Sequence, residues 1–390
     1  MPDSSYYENL GPSEVYDLQE NEGVEGLIRV LRHNHHKEVI RLAINALGDI
    51  KDKKAVETII EKGLKSEYVS IRDAAIKALG KIKSDKATEP LIYMMLKDKD
   101  TRAAAIRALG KIKDSWAVKS LIVLIHDENE ELRVRKEAAQ ALGNIGGKEA
   151  VLGLIAALDS GTVELNERIS QELVKLGEMS VMPLITMLSG DNERIMWKAI
   201  TILGEIGDKR AVKPLIALLL DDSKDECDRG NYVATALGEI GDAEAVDPLI
   251  ELTLKREENT LTCMSVRALG DIGDDRAVEP LIAVLEDENT INSAHLSLDT
   301  CWALGKLKDA RATEPLIKIL EGSRDNKFGL ADAAASALVQ LDDDRIELPL
   351  LRYYGCTLYS LMGSKAFERI GQQVTVEGLS KLLARLISKY

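Results

Sequence analysis

The phrase ALGDIGDDRAVEPLI, from Ala268 to Ile282, sets two glycines, Gly270 and Gly273, ahead of a basic residue, Arg276. A glycine pair beside a cation is one ingredient of a phosphate-cradling loop, in which backbone N–H groups and a helix N-terminus meet the anion. Such a loop also needs a preceding strand and a Lys-Ser/Thr or similar signature. Here apolar residues at helical spacing flank the pair on both sides. The phrase also returns as ILGEIGDKRAVKPLI from Ile202 and as ALGEIGDAEAVDPLI from Ala236. Chemistry confined to one site does not recur along a whole chain, so these glycines are predicted to be structural.

The other reactive residue types give no active site. RHNHHKE holds His33, His35 and His36, and imidazole is a common metal ligand, but the cluster falls between two predicted helices and reads as a solvated turn. His126 and His295 fall in connections between repeats. No Ser or Cys has a GxSxG or comparable context, and five histidines leave a general base hard to assign. Cys227, Cys263, Cys301 and Cys356 lie far apart without CxxC spacing and read as reduced core thiols. The sequence nominates no catalytic residue, metal centre or cofactor, and a non-enzyme is the favoured reading.

Composition narrows the class further. The 390 residues are 45% apolar and 30% charged but only 4% aromatic, which suits small helical packing units better than a thick β core. No apolar run approaches the length of a membrane span, and PLIALLL from Pro214 stops at Asp221. The acidic N-terminus has neither a basic nor an apolar region, so no secretory signal is expected and the cytoplasm is the default location. The net charge of −14 argues against wholesale nucleic-acid binding. Its distribution is uneven: residues 24–145 hold 24 bases against 18 acids.

The elements that position these residues form a repeat. The glycine of ALG (once ILG) falls at Gly48, Gly80, Gly110, Gly143, Gly204, Gly238, Gly270 and Gly305, and degraded versions place Tyr16, Val174, Val339 and Glu368 at the same marker. These twelve units have a mean spacing of 32 residues. Ten residues after most markers comes Pro, Gly or another small residue, as at Pro90, Gly153, Pro214, Pro248, Pro280, Pro315 and Pro349. Pro183 comes nine after its marker. Apolar residues recur at spacings of three and four on both sides of the marker, predicting two helices per unit. The marker glycine is expected near the end of the first helix, where a residue able to leave right-handed geometry is useful. Asp208, Asp242 and Asp274 are expected to cap the next segment. Pro cannot lie deep in a helix, so the residues before it, DDR in one unit, are predicted to form a turn or a short 3₁₀ segment.

A pair of short helices cannot bury its apolar faces alone, and stacking a dozen pairs makes one continuous core. At this point ALGDIGDDRAVEPLI, ILGEIGDKRAVKPLI and ALGKLKDARATEPLI resemble the HEAT-like repeats of the phycobilisome-lyase type. The resemblance covers nearly the whole chain. It implies an all-α, right-handed α-solenoid of about twelve two-helix repeats, with the second helices lining a concave side. The expected organisation is a single solenoid over 1–390, with an N-terminal capping unit at 1–32, regular repeats at 33–355 and a C-terminal capping unit at 356–390. The class includes bilin lyases, a di-iron hydroxylase, DNA-repair proteins and binding scaffolds. The hydroxylase would carry His-Glu pairs on facing repeats, and this chain has no His-Glu dipeptide.

Two departures from the repeat remain, counting the unit marked by Gly48 as repeat one. Relative to the Pro place, positions −4, −1 and +3 share the exposed face of each second helix and are charged in most repeats. Repeats two to five supply Tyr93, Trp116, Val123, Leu152, Ala156, Met179 and Met182 there instead. An apolar run at exposed positions of neighbouring repeats has the character of a binding surface. Separately, Lys51, Lys53 and Lys54, then Lys81, Lys83 and Lys86, then Lys111 and Lys113 follow three successive markers and would align as a basic ridge. That ridge fits a solvated edge; it could also meet phosphates or an acidic partner, although no interleaved aromatics or Arg forks accompany it. Trp197 and Trp302 are expected on the outer face of first helices, and Glu286–Thr300 as a lengthened loop. The expected function is a non-catalytic scaffold that holds a protein or peptide on the concave stripe. The alternatives are an accessory bilin-type lyase or isomerase and nucleic-acid or phosphate binding through the ridge; nucleic acid and membrane are disfavoured as partners.

Overall fold

Why the chain repeats its helix pair is visible at each junction between the two helices. In most repeats the first helix ends on a residue in left-handed geometry, and the Asp directly after it turns the chain. In the computed structural model, the side chains of Asp52, Asp114, Asp208, Asp242, Asp274 and Asp309 each accept the backbone N–H two residues ahead at 2.8–3.0 Å. The three residues that follow form the 3₁₀ turn, Asp275–Ala277 in the repeat quoted first, and the second helix then runs Val278–Leu285. The Pro falls in that helix's first turn, where a missing N–H leaves no bond unmade. Repeat five lacks the 3₁₀ turn and starts its helix at Glu178, which places Pro183 inside Glu178–Met187.

The structure describes residues 4–350 and 353, apart from 160, 191, 222–226, 256–258, 288–293, 323–328, 342 and 347–348. The proposed C-terminal capping unit lies outside the described residues, as does the middle of the expected loop at Glu286–Thr300. Residues 294–300 of that segment are helical, opening Ala294–Leu307, so the lengthened loop is shorter than the sequence suggested.

The described residues fall into two compact bodies, one running up to residue 187 together with 192–198 and the other made of 188–190 and those from 199 on. In the first, the helices Lys37–Ile50, Val69–Ile82, Arg102–Ile112 and Leu132–Ile145 stack in order, each followed by its shorter second helix. Ahead of them, Ser4–Glu8, Glu14–Asn21 and Gly23–His33 pack on one another and against Lys37–Ile50. Tyr7 is buried there, its hydroxyl donating to Glu22 Oε2 at 2.7 Å, and the Asn34 amide donates to the carbonyls of Tyr7 and Leu10. The second body repeats the plan through Cys227–Ile240, Thr260–Ile272, Ala294–Leu307 and Leu330–Gln340.

The marker glycines do something other than the sequence suggested. Gly48, Gly80, Gly110, Gly238, Gly270 and Gly305 lie inside their helices and are buried. A Cβ on Gly48 would come within 2.8 Å of both Cα and Cβ of Ala78, and a similar close approach, at 2.8–3.1 Å, recurs between Gly80 and Ala108, Gly110 and Ala141, Gly238 and Ala268, and Gly270 and Ala303. Each alanine stands two residues before the next marker. The Ala-Leu-Gly phrase is therefore an interlock between consecutive first helices, in which the glycine admits the backbone of the next repeat.

Left-handed geometry falls three residues later instead. Gly207, Gly241 and Gly273 have φ of 71–77°, and Lys51, Lys83, Lys113 and Lys308 occupy the same place with φ of 54–63°. A side chain in that region costs about 1 kcal/mol. Lys83→Gly is accordingly expected to raise stability by up to about 1 kcal/mol, less the extra freedom glycine gives the unfolded chain. Urea unfolding of the variant checks it, and a lower midpoint would contradict the reading.

Candidate functional site

On the exposed face of the second helices, ion pairs in a fixed register join neighbouring repeats at four junctions, and a fifth carries the pair reversed, Lys213 Nζ to Glu244 at 3.7 Å. A cation four before the Pro place meets an acid one before the Pro place of the preceding repeat. Lys54 Nζ lies 3.8 Å from Glu25, Lys86 Nζ 2.7 Å from Glu57, Arg276 Nη1 3.1 Å from Asp247 and Arg311 Nη1 3.4 Å from Glu279. In the second body the arginine is tied down further. Arg210, Arg276, Arg311 and Arg345 each bind the Asp of their own turn. Arg276, Arg311 and Arg345 also donate to the carbonyls of Ala243, Asp275 and Ala310 in the repeat before.

These contacts hold Asp208, Asp274 and Asp309 below the usual carboxylate range, chiefly through the side-chain hydrogen bond from the arginine, and bring Asp208 down to about 2. An acid whose folded pKa is depressed contributes stability above its unfolded pKa and loses it as pH falls through the folded one. The second body should therefore lose stability between about pH 4 and about 2. Replacing Asp208, Asp274 and Asp309 together by Asn keeps capping oxygens and should flatten that acid slope in thermal melts. An unchanged slope would place the acid sensitivity elsewhere.

In repeat three the arginine's place is taken by Trp116. Its backbone N–H still donates to Asp114 at 3.0 Å, so the turn is unaltered. Its side chain is 73% exposed. Glu89, the acid that a cation at that place would meet, makes no ion pair among the described residues. The sequence reading passed over Glu89; the signal for it was an acid one before the Pro place facing a repeat that supplies no cation.

The remaining stripe residues are exposed as well. Tyr93 and Val123 are 64% and 69% exposed, and Leu152, Met179 and Met182 lie between 43% and 53%. Ala156 is exposed beside them. Their helices are consecutive: Val118–His126 packs against Lys148–Ala157, which packs against Glu178–Met187, while Thr88–Lys97 packs against the Ser115–Ala117 turn that carries Trp116. The side chains between them, such as Leu91, Leu121, Leu154 and Leu184, are fully buried. All seven stripe residues thus stand on the solvent side of one run of stacked helices.

The lysines of the ridge divide into two groups. Lys54 and Lys86 belong to the ion-pair register above, and Lys81 pairs with Asp49 at 2.6 Å. Lys51, Lys53, Lys83, Lys111 and Lys113 are exposed and make no ion pair among the described residues. The acids of the same edge are engaged: Asp52 and Asp114 by backbone N–H groups, Asp85 by the N–H of Lys86, and Asp49 by Lys81.

In the second body the corresponding face is charged. A groove of about 640 Å³ there is lined by Glu279, Ile282, Glu286, Arg311, Glu314 and Lys318, and Arg311 and Lys318 pair across it with Glu279 and Glu286. Trp302 is partly exposed under the Lys306 ammonium, and Trp197 is half-buried. His35 and His36 are exposed at the start of Lys37–Ile50. Burial pushes the thiols of Cys263 and Cys301 up to about 11 and about 12, which leaves them as inert thiols. The Cys227 side chain and Cys356 lie outside the described residues. Among the described residues, no group of three His, Cys, Asp or Glu side chains could hold a metal ion, and no helix is long and apolar enough to cross a membrane.

Helix pairs that interlock through Ala and Gly and share one exposed register define an all-α solenoid, a class of protein that works by the faces it presents. The chain belongs to the HEAT repeats family, whose model matches residues 24–101, 88–173, 151–230 and 231–298; a PBS lyase HEAT-like repeat matches 302–322. No curated protein matches the sequence. Among solved structures, the fold is similar to the karyopherin Kap121p bound to the extreme C-terminus of the protein phosphatase Cdc14p, with 12% identity and a TM-score of 0.57. That likeness covers 93% of this chain and 46% of the karyopherin. Kap121p bound to the SUMO protease Ulp1p and to Nup53p gives TM-scores of 0.57 and 0.56, again at 12% identity, covering 93% and 95% of this chain and 45% and 44% of the karyopherin. The chain therefore spans a little under half the length of these karyopherins.

Proposed function

We propose that this protein is a non-catalytic scaffold that holds a segment of a protein partner on the second-helix face of repeats two to five. The observation that carries the reading is Trp116, which is largely in water at a place where sibling repeats put an ion-paired arginine. Water-exposed Trp, Tyr and Met side chains in one contiguous run are unfavourable for a free monomer and are enriched where partners bind. Burying such a run against a partner removes apolar surface from water at about 25 cal/mol per Å². The karyopherins of similar fold were solved with protein partners bound, which agrees with a scaffold role for this chain.

The test is a photo-activated cross-linking residue placed at Val123 in one preparation and at Ala217, the matching place in repeat six, in another. The expected result is a discrete protein adduct from position 123 and none from 217. Equal labelling from the two positions, or none from 123, would contradict the assignment.

A further inference from the structure

We infer that the occupant of this face is an acidic segment whose apolar side chains seat on the stripe while its carboxylates meet the lysine ridge. The inference rests on the docking reading above and adds the chemistry of the partner. Three observations support it. First, the stripe and the ridge meet at one point: Trp116 follows Lys113 by three residues and Lys111 by five, on the turn that packs against the helix bearing Tyr93. Second, the edge has a surplus of positive charge: Lys51, Lys53, Lys83, Lys111 and Lys113 outnumber the nearby Asp52, Asp85 and Asp114, whose oxygens turn to backbone N–H groups, and these five lysines make no ion pair among the described residues. Third, the charge is kept at a conformational cost. Lys83 and Lys113 sit in left-handed geometry at the place where repeats four to eight carry Gly146, Gly177, Gly207, Gly241 and Gly273.

Charge complementarity decides the sign. A basic segment laid along repeats two to five would face Lys83, Lys111 and Lys113 at one end of the stripe, whereas an acidic one finds a lysine there on both repeats two and three. The length follows from the stacking. Neighbouring helices lie about 10 Å apart, so repeats two to five span roughly 30 Å, which an extended chain of about nine residues crosses.

The experiment uses the full chain and labelled peptides of about twelve residues in fluorescence anisotropy. The peptides share Leu and Phe at the same places and carry Glu, Gln or Lys between them; a single-stranded oligonucleotide is the fourth probe. The Glu peptide is expected to bind about tenfold more tightly than the Gln peptide, with an advantage that shrinks as salt rises. The variant Lys83→Gly/Lys111→Asn/Lys113→Gly, which installs residues that sibling repeats already carry, should remove that advantage and leave binding of the Gln peptide unchanged. Trp116→Arg should weaken the Glu and Gln peptides alike. Equal binding of the Glu, Gln and Lys peptides would overturn the acidic assignment and leave the docking face standing. Tightest binding of the Lys peptide or of the oligonucleotide would also overturn it. Failure of every probe, together with no adduct from position 123, would bring down the docking face as well.

Discussion

Trp116→Ala is expected to weaken partner binding by about 2 kcal/mol or more, roughly thirtyfold, while the thermal midpoint stays where it was. The two halves of that result have separate causes. Binding falls because Trp116 is the largest side chain of the apolar run and gives a partner the largest single share of area to cover, and alanine leaves its seat empty. Stability holds because the side chain, 73% exposed, packs against little in the free protein, and the turn beneath it is fixed by Asp114 and the backbone. Trp116→Arg sharpens the comparison. It restores the residue of repeats six, eight and nine and gives Glu89 its missing cation, so stability should be equal or slightly higher while binding is lost. Calorimetric titration and thermal melts of the same preparations check both. A large drop in melting temperature with unchanged affinity would make Trp116 a core residue.

Gly48→Val carries the largest expected effect on folding, a loss of about 2–3 kcal/mol. On helix propensity alone the change would be mildly favourable. The collision with Ala78 reverses the sign, because any Cβ at position 48 would lie 2.8 Å from the backbone of the neighbouring first helix. Backbone cannot swing aside as the end of a flexible side chain can. The loss should be local, since a repeat array fails at the interface that is damaged. Hydrogen exchange ought to accelerate in Lys37–Ile50 and Val69–Ile82 before it does in the second body. Gly241→Ala is the control: open space surrounds that glycine and its φ is 71°, so only the conformational cost of about 1 kcal/mol applies. Equal losses from the two variants would contradict the distinction between a glycine kept for room and one kept for its φ.

That distinction also marks how far the sequence could be read. Period, helix pairing, Asp caps and the 3₁₀ turn were all legible, because each depends on residues within a few positions of one another. The role of the marker glycine was not. A sequence shows that a Cβ is missing, but whether it is missing for φ or for space depends on what lies opposite, and Ala78 is thirty residues from Gly48. The exposure of Trp116 was legible for the opposite reason: sibling repeats act as controls, and a place filled elsewhere by Arg or Lys faces water. The state of the lysines was hidden. Lys86 and Lys83 look alike in the sequence, yet Lys86 pairs with Glu57 while Lys83 makes no ion pair among the described residues, because pairing depends on the register between repeats.

The central claim, that function resides where the repeat departs from its own pattern, is tested most directly by carrying the cross-linking residue through one register. Placed in turn at the −4 and +3 positions of the second helix in repeats one to nine, it should give partner adducts at 93, 116, 123, 156 and 179. Positions 54 and 61 and those of repeats six to nine should give none. Adducts spread evenly over all nine repeats, or concentrated where the ion-paired arginines stand, would contradict it.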